Sequence, residues 1–384
     1  MNRFFGKIVL VTLLMLASST AYAGSQMGIQ GLNELLIEKG VITREEVEAQ
    51  AKKNPLTVSG YIQVQGMIMD ENHEFGYDSA SLRYENGFQI RRAKIIVSGS
   101  PYENINYRLE VNVARAPKLD DAYIEYDRLP YLVARIGQFK VPFSLEMITV
   151  DHEILSIERS EVVNQIAPDR DAGIMFSGKL ANEILSYDMG VFNGRRADDL
   201  HAYKVGSYAD SGQNNFNDND LFMIAGRLVV KPVEWVSVGL NVLSSKDGHD
   251  DPTAIQVKWP VDRNAYGVDL QLKNHQLGYT LQGEYLRQEA DGIITRDITT
   301  TSDGFYVQLG QFFIPDYVEG LIKYEEYHAD KDVVDRDNIV WTTVGLNFYL
   351  HGHDAKLMTN YTLKDEKQSS YPNNSFLAQL QLRF

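Results

Sequence analysis

From Leu56 to the last residue, apolar and polar side chains alternate along the chain. Val58, Ile62, Val64 and Ile68 share one parity, and Thr57, Ser59, Tyr61, Gln63 and Gln65 share the other. Successive side chains of a strand point to opposite faces, so a period of two predicts a strand with one apolar face. The pattern returns near 88–99, 104–114, 119–127, 131–139, 172–180, 184–192, 221–231 and 235–243. It continues near 265–274, 276–286, 304–313, 317–326, 339–350, 354–364 and 375–384, which with 56–69 predicts sixteen strands.

The connectors sort by length. Short, turn-like ones such as "RLP" at 128–130, "ANE" at 181–183, "IPD" at 314–316 and "HGH" at 351–353 alternate with polar stretches such as 194–220, 244–264 and 287–303. Short turns at one end and long loops at the other are the pattern of an antiparallel transmembrane β-barrel. A soluble β-sandwich has no reason to segregate loop lengths in this way. The expected fold is therefore all-β, a sixteen-stranded barrel. Rows such as Ile105, Tyr107, Leu109, Val111 and Val113 would face outer-membrane lipid. Aromatics at row ends, including Tyr126, Phe222, Tyr324, Tyr361 and Phe384, suit interfacial girdles. The other parity reads as polar throughout, and a barrel of this size leaves room for water.

Before Leu56 the period changes. Leu32, Leu35 and Leu36 have helical spacing, Gly40 is a stop, and Thr43 with Glu46 forms a capping box. Residues 24–55 are thus expected to hold a short periplasmic helical hairpin. Arg3 and Lys7 precede an apolar run from Ile8 to Ala17, and Ala21 and Ala23 form an A-x-A pattern. Residues 1–23 read as a signal peptide, since ten apolar residues are too few to span a bilayer as a helix.

The net charge of −15 argues against a nucleic-acid partner, and the absence of cysteine excludes thiol chemistry and disulfides. Mean hydropathy is −0.28, which a barrel tolerates because only alternate residues meet lipid. No nucleotide-binding, zinc-protease or serine-hydrolase signature is present, and no cofactor or enzyme activity is expected. His351–Asp354 ("HGHD") sits in a predicted tight turn and reads as a turn rather than a metal site. Asp330, Asp332, Asp335 and Asp337 lack the glycine and terminal glutamate of a calcium loop and read as a solvated outer loop.

One connector stands apart. Residues 140–171 carry Phe143, Leu145, Met147, Ile148, Ile154, Leu155 and Ile157, which would sit poorly in water. A long loop of this kind is packed against something or functional. Inside a barrel it would narrow the pore; outside it would be a lid or a subunit contact.

"ARIGQFKVPFSLE" (134–146), "IERS" (157–160) and "DRDAGIMFSG" (169–178) resemble the phosphate-selective porin family, the O and P porins. "IRRAKIIVSG" (90–99) and "DDAYIEY" (120–126) fit the same order. The resemblance implies a homotrimeric porin with an inward-folded third loop and a basic pore for small anions such as phosphate. Arg91, Arg92 and Arg135 match the family's basic positions by motif. By parity, Lys94, Arg108, Arg227 and Lys323 also face the lumen, and inward bases modestly outnumber inward acids such as Glu110, Asp121, Glu125, Asp188, Asp269, Glu284 and Glu325. Lys140 and Arg159, within the apolar connector, complete the candidate pore-lining set. A pairing of each base with a neighbouring acid is the competing reading of each. The competing function is a structural or adhesive barrel with a plugged pore. The alternating end "SFLAQLQLRF" (375–384) must pair with the first strand to close the barrel. Its terminal Phe384 resembles the signal read by the outer-membrane assembly machinery.

Overall fold

In the computed structural model, residues 56–69, 86–114, 117–194, 222–247, 261–291, 299–329, 338–366 and 374–384 are described. The expected signal peptide, helical hairpin and acidic loop at 330–337 lie outside them. Strands β1 (Leu56–Met69), β2 (Gly87–Tyr102), β3 (Ile105–Asn112), β4 (Lys118–Leu129), β5 (Leu132–Lys140) and β6 (Arg170–Leu180) form the first part of the ring. Then come β7 (Leu185–Phe192), β8 (Met223–Val233), β9 (Val236–Asp247), β10 (Val261–Asn274) and β11 (Tyr279–Asp291). The ring ends with β12 (Thr299–Ile314), β13 (Val318–His328), β14 (Ile339–His351), β15 (Ala355–Glu366) and β16 (Ser375–Arg383). Each strand is bonded to its neighbours in sequence, and β16 returns to β1, so all sixteen close into one barrel. Thr57–Gly99 and Asn104–Phe384 make up one unit, the barrel; Leu56 and Ser100–Glu103 are the described part of the other, where β2 ends and Glu103 opens a turn.

The alternation explains the two faces. Val58, Ile62, Val64 and Ile68 on β1, and Leu380 and Leu382 on β16, are exposed on the outer wall. Gln63, Gln65, Gln379 and Gln381 face inward and are buried. In the β1–β16 register Gln63 stands opposite Gln381 and Gln65 opposite Gln379, and their amides bond across the seam at 2.8 and 2.9 Å. Among the described residues the ring closes without an open strand edge, as a bilayer requires.

The inner wall is not polar throughout, contrary to the sequence reading. Met223, Ala225, Leu243, Ala265, Leu286, Tyr306, Tyr327 and Ile339 form a buried apolar patch on strands β8 to β14. Only part of the wall meets water; the rest meets the segment between β5 and β6. That segment carries helices α1 (Leu145–Ile148) and α2 (Glu161–Ile166).

Candidate pore and its inner loop

Helices this short are unstable alone, so the wall must hold them. Phe143 and Met147 around α1 and Val162, Val163 and Ile166 of α2 pack into the apolar wall patch. Ile157 joins a second cluster with Met358 and Leu377 on β15 and β16. The apolar connector therefore lies inside the barrel, where its side chains find a matching surface. Ser144 turns the chain into α1 with φ 70°, and its hydroxyl accepts the Met147 N–H at 3.2 Å.

A buried loop brings its polar backbone with it, and those groups need partners. Side chains on the barrel wall supply them. Glu284 on β11 accepts the N–H groups of Leu145 and Glu146 at 2.8 and 3.1 Å. Glu325 on β13 accepts the Glu161 N–H at 2.5 Å. Both carboxylates thus face the first turn of a helix, where unpaired N–H groups and positive partial charge gather. Asn241 accepts the Ser144 N–H at 3.1 Å, and Asn360 accepts the Ile157 N–H at 2.7 Å. Asn347 donates to the Leu155 carbonyl at 3.0 Å, and Gln381 to that of His152 at 3.1 Å.

The ionic anchor is Asp151. Its carboxylate lies 3.3 Å from Arg92 Nε, 2.7 Å from Lys94 Nζ, 2.7 Å from Arg159 Nη2 and 3.9 Å from Lys140 Nζ. The Tyr61 hydroxyl donates to it at 3.1 Å. Burial alone would raise this carboxyl, but Arg92, Lys94 and Arg159 overcome that and hold it well below the usual range. Burial likewise opposes ionisation of Glu158, and the facing Arg91 outweighs it, setting the group at about 2.

All nine candidate bases reach the interior, and each has an acid or carbonyl partner. Arg91 pairs with Glu158 at 2.9 Å, while its neighbour Arg92 turns to Gln63 and Asp151. Two consecutive inward side chains break the alternation by one residue, as a bulge does. Arg108 pairs with Glu110 at 2.6 Å and Asp121 at 3.3 Å. Arg135 donates to Glu125 at 2.8 Å, and its guanidinium lies 4.3 Å from the centre of the Tyr123 ring. Lys140 donates to the Met147 and Thr149 carbonyls at 2.7 and 2.8 Å, and Arg159 to those of Glu146 and Thr149 at 2.9 and 2.8 Å. Arg227 makes a fork with Asp269, bonding one oxygen at 2.8 Å. Gly239 leaves the room for that fork, since a Cβ there would collide with both partners. Lys323 pairs with Glu325 at 3.3 Å.

Reading the sequence by parity missed Arg170, which bridges Asp121 at 2.7 Å and Glu110 at 3.5 Å from the end of the loop. It also missed inward acids. Asp120, Glu146, Asp151, Asp171 and Glu319 are all buried, and they offset the modest lead of the bases. The His351–Asp354 turn holds no metal geometry. His353 lies against Lys356 and the His152 carbonyl, and burial followed by the Lys356 charge pushes it down to about 4. Among the described residues no cluster of three or more His, Cys, Asp or Glu could hold a metal.

Between the loop and strands β1 to β7 lies a cavity of about 350 Å³. Lys94, Arg108, Arg135, Lys140 and Arg170 line it together with Glu110, Asp121, Asp151 and Asp188, and Tyr61, Tyr123 and Phe139 add rings. Arg108 and Arg135 keep 30% and 28% of their side chains exposed there.

Solved structures share this architecture. OmpT of Vibrio cholerae superposes with a TM-score of 0.60 at 8% identity, covering 86% of this chain and 98% of that one. The outer membrane channel DcaP of Acinetobacter baumannii gives 0.59 at 12% identity, covering 87% and 98%. OmpF of Salmonella typhi gives 0.56 at 10% identity, covering 86% and 98%. The fold is that of an outer-membrane porin. The model of the family phosphate-selective porin O and P matches residues 72–230, which hold the inner loop and its basic wall. A relative described as an uncharacterized protein of Aquifex aeolicus is 26% identical over 401 residues, covering 91% of this chain and 92% of its own. The barrel fold and the family match agree on an outer-membrane location.

Proposed function

We propose that this porin passes small hydrophilic anions, phosphate among them, through a lumen whose aperture is set by a constriction loop at 140–171. The observation that carries the reading is the cavity beside that loop, with the partly exposed Arg108 and Arg135 on its wall. Charged rings at the narrow part of a channel, rather than net charge, set ion preference. An overall charge of −15 is therefore compatible with an anion-favouring pore. The domain plan that goes with this reading is a signal peptide at 1–23, a periplasmic segment at 24–55 and a barrel from 56 to 384. A homotrimer in outer-membrane lipid is the proposed assembly, with Phe384 presented to the assembly machinery.

A second reading, a plugged structural or adhesive barrel, is favoured by the apolar loop–wall cluster that fills part of the lumen. Ion preference tests the first reading. In planar bilayers under a KCl gradient, the reversal potential is expected to have the sign of chloride permeation. Added phosphate is expected to reduce the chloride current as it competes for the basic wall. A reversal potential of the opposite sign contradicts the anion preference, and a chloride current indifferent to phosphate removes phosphate as the substrate.

A further inference from the structure

We propose that Asp151 is the selectivity-determining residue of this channel, a single loop carboxylate that both fastens the constriction and masks a cluster of four bases. The inference deepens the channel reading and rests on it. Among the described residues Asp151 is the one acid in contact with Arg92, Lys94, Lys140 and Arg159 together, at 2.7 to 3.9 Å. Two of these bases belong to β2, one ends β5 and one lies on the loop itself. One carboxylate therefore ties the loop to two separate strands. Lys94 has further acids in Glu110 and Asp120, each at 2.8 Å. The ionic partner of Arg159 is Asp151, its other contacts being the loop carbonyls. The same side chain lines the 350 Å³ cavity beside Arg108, Arg135, Lys140 and Arg170, so its charge is felt where a solute would pass.

Two consequences separate this role from simple packing. Neutralising Asp151 leaves the basic cluster with one more uncompensated positive charge at the cavity wall. A unit charge about 7 Å from a passing ion, screened by salt, changes the local anion-to-cation ratio by about threefold. It also loosens the loop, because Arg159 and Tyr61 bond different oxygens of the carboxylate and an amide keeps only one acceptor. A longer carboxylate at the same position keeps the charge and should keep both properties.

The test compares the parent protein with Asp151→Asn and Asp151→Glu in planar bilayers under a KCl gradient, with folding checked by heat-modifiable gel mobility. Asp151→Asn is expected to raise the anion-to-cation permeability ratio about threefold and to raise conductance. Asp151→Glu is expected to restore the parent ratio. The double variant Asp151→Asn with Arg159→Gln removes one charge of each sign and is expected to return the ratio toward the parent while conductance stays high. An unchanged ratio in a folded, conducting Asp151→Asn overturns the proposal, as does a shift toward cations. If neither Asp151→Asn nor the double variant folds, the residue has a folding role alone and the proposal fails. A silent parent would instead sink the channel reading itself.

Discussion

Replacing Glu284 with alanine is expected to give a channel with higher mean conductance and larger current noise than the parent. The carboxylate of Glu284 accepts three donors, the N–H groups of Leu145 and Glu146 and the hydroxyl of Tyr306 at 3.1 Å. It is buried, at 3% exposure, so water cannot take its place without a rearrangement. Each buried donor left without an acceptor costs on the order of 1–3 kcal/mol. The least costly relief is for the first turn of α1 to leave the wall and hydrate its N–H groups in the lumen. The apolar contacts of Met147 and Phe143 oppose that movement, so the loop should fluctuate between seated and unseated positions rather than depart. Glu284→Gln keeps one good acceptor oxygen and should fall between the two. Single-channel recordings measure both mean and variance. Unchanged conductance and noise in a folded Glu284→Ala channel would show that the wall carboxylate does not hold the loop.

The second large effect is expected at the chain end. Phe384 closes the last rung of the barrel, donating its N–H to the Gly60 carbonyl at 2.9 Å and accepting the Gly60 N–H at 3.0 Å. Its ring lies over Gly60, where an added Cβ would collide with the Lys94 carbonyl and come within 2.8 Å of the ring. The absence of a side chain at Gly60 is what lets the ring and the backbone both approach. Deleting Phe384 removes this reciprocal pair and a lipid-facing ring, so the yield of folded barrel should drop several-fold. The channels that do form should conduct as the parent does, because the Phe384 ring is largely exposed on the outer side of the wall. Comparing cells with refolding into detergent separates the causes. A deficit in cells greater than the deficit in detergent supports recognition by the assembly machinery. Equal deficits assign the whole effect to the seam, and no deficit in either contradicts both.

Much of the barrel was legible because one physical rule governs it. A residue on β1 or β16 must be apolar if it faces lipid and is free to be polar if it faces the lumen, so Val64 and Gln65 or Leu380 and Gln379 announce their faces. The rule fails where the inner wall does not meet water. Leu243, Ala265 and Leu286 are apolar at inward positions because α1 and α2 cover them, and no periodicity within a single strand reveals such a distant contact. The anomaly was visible from the other side, in the apolar run at 143–157 that no solvated loop would carry.

The side chains of the candidate bases lie on the inner side of the wall or on the loop within it, and their surroundings were not legible. Arg92 and Lys94 read as a bare basic row in sequence. In space they meet Asp151, more than fifty residues away. Parity also assigns Arg91 and Arg92 to opposite faces, and only the slip at that point brings both inward. The partners of a charge inside a barrel come from strands and loops remote in sequence, so spacing alone gives the side a base faces and not whether it is free.

The proposed function requires water and small solutes to cross the barrel past the inner loop. Single-channel recording of the purified, folded protein in a planar bilayer tests it most directly. Discrete, stepwise rises in current on insertion, each of similar size, are expected. Protein that inserts in its folded, heat-modifiable form and carries no current would contradict the proposed function and establish the plugged barrel in its place.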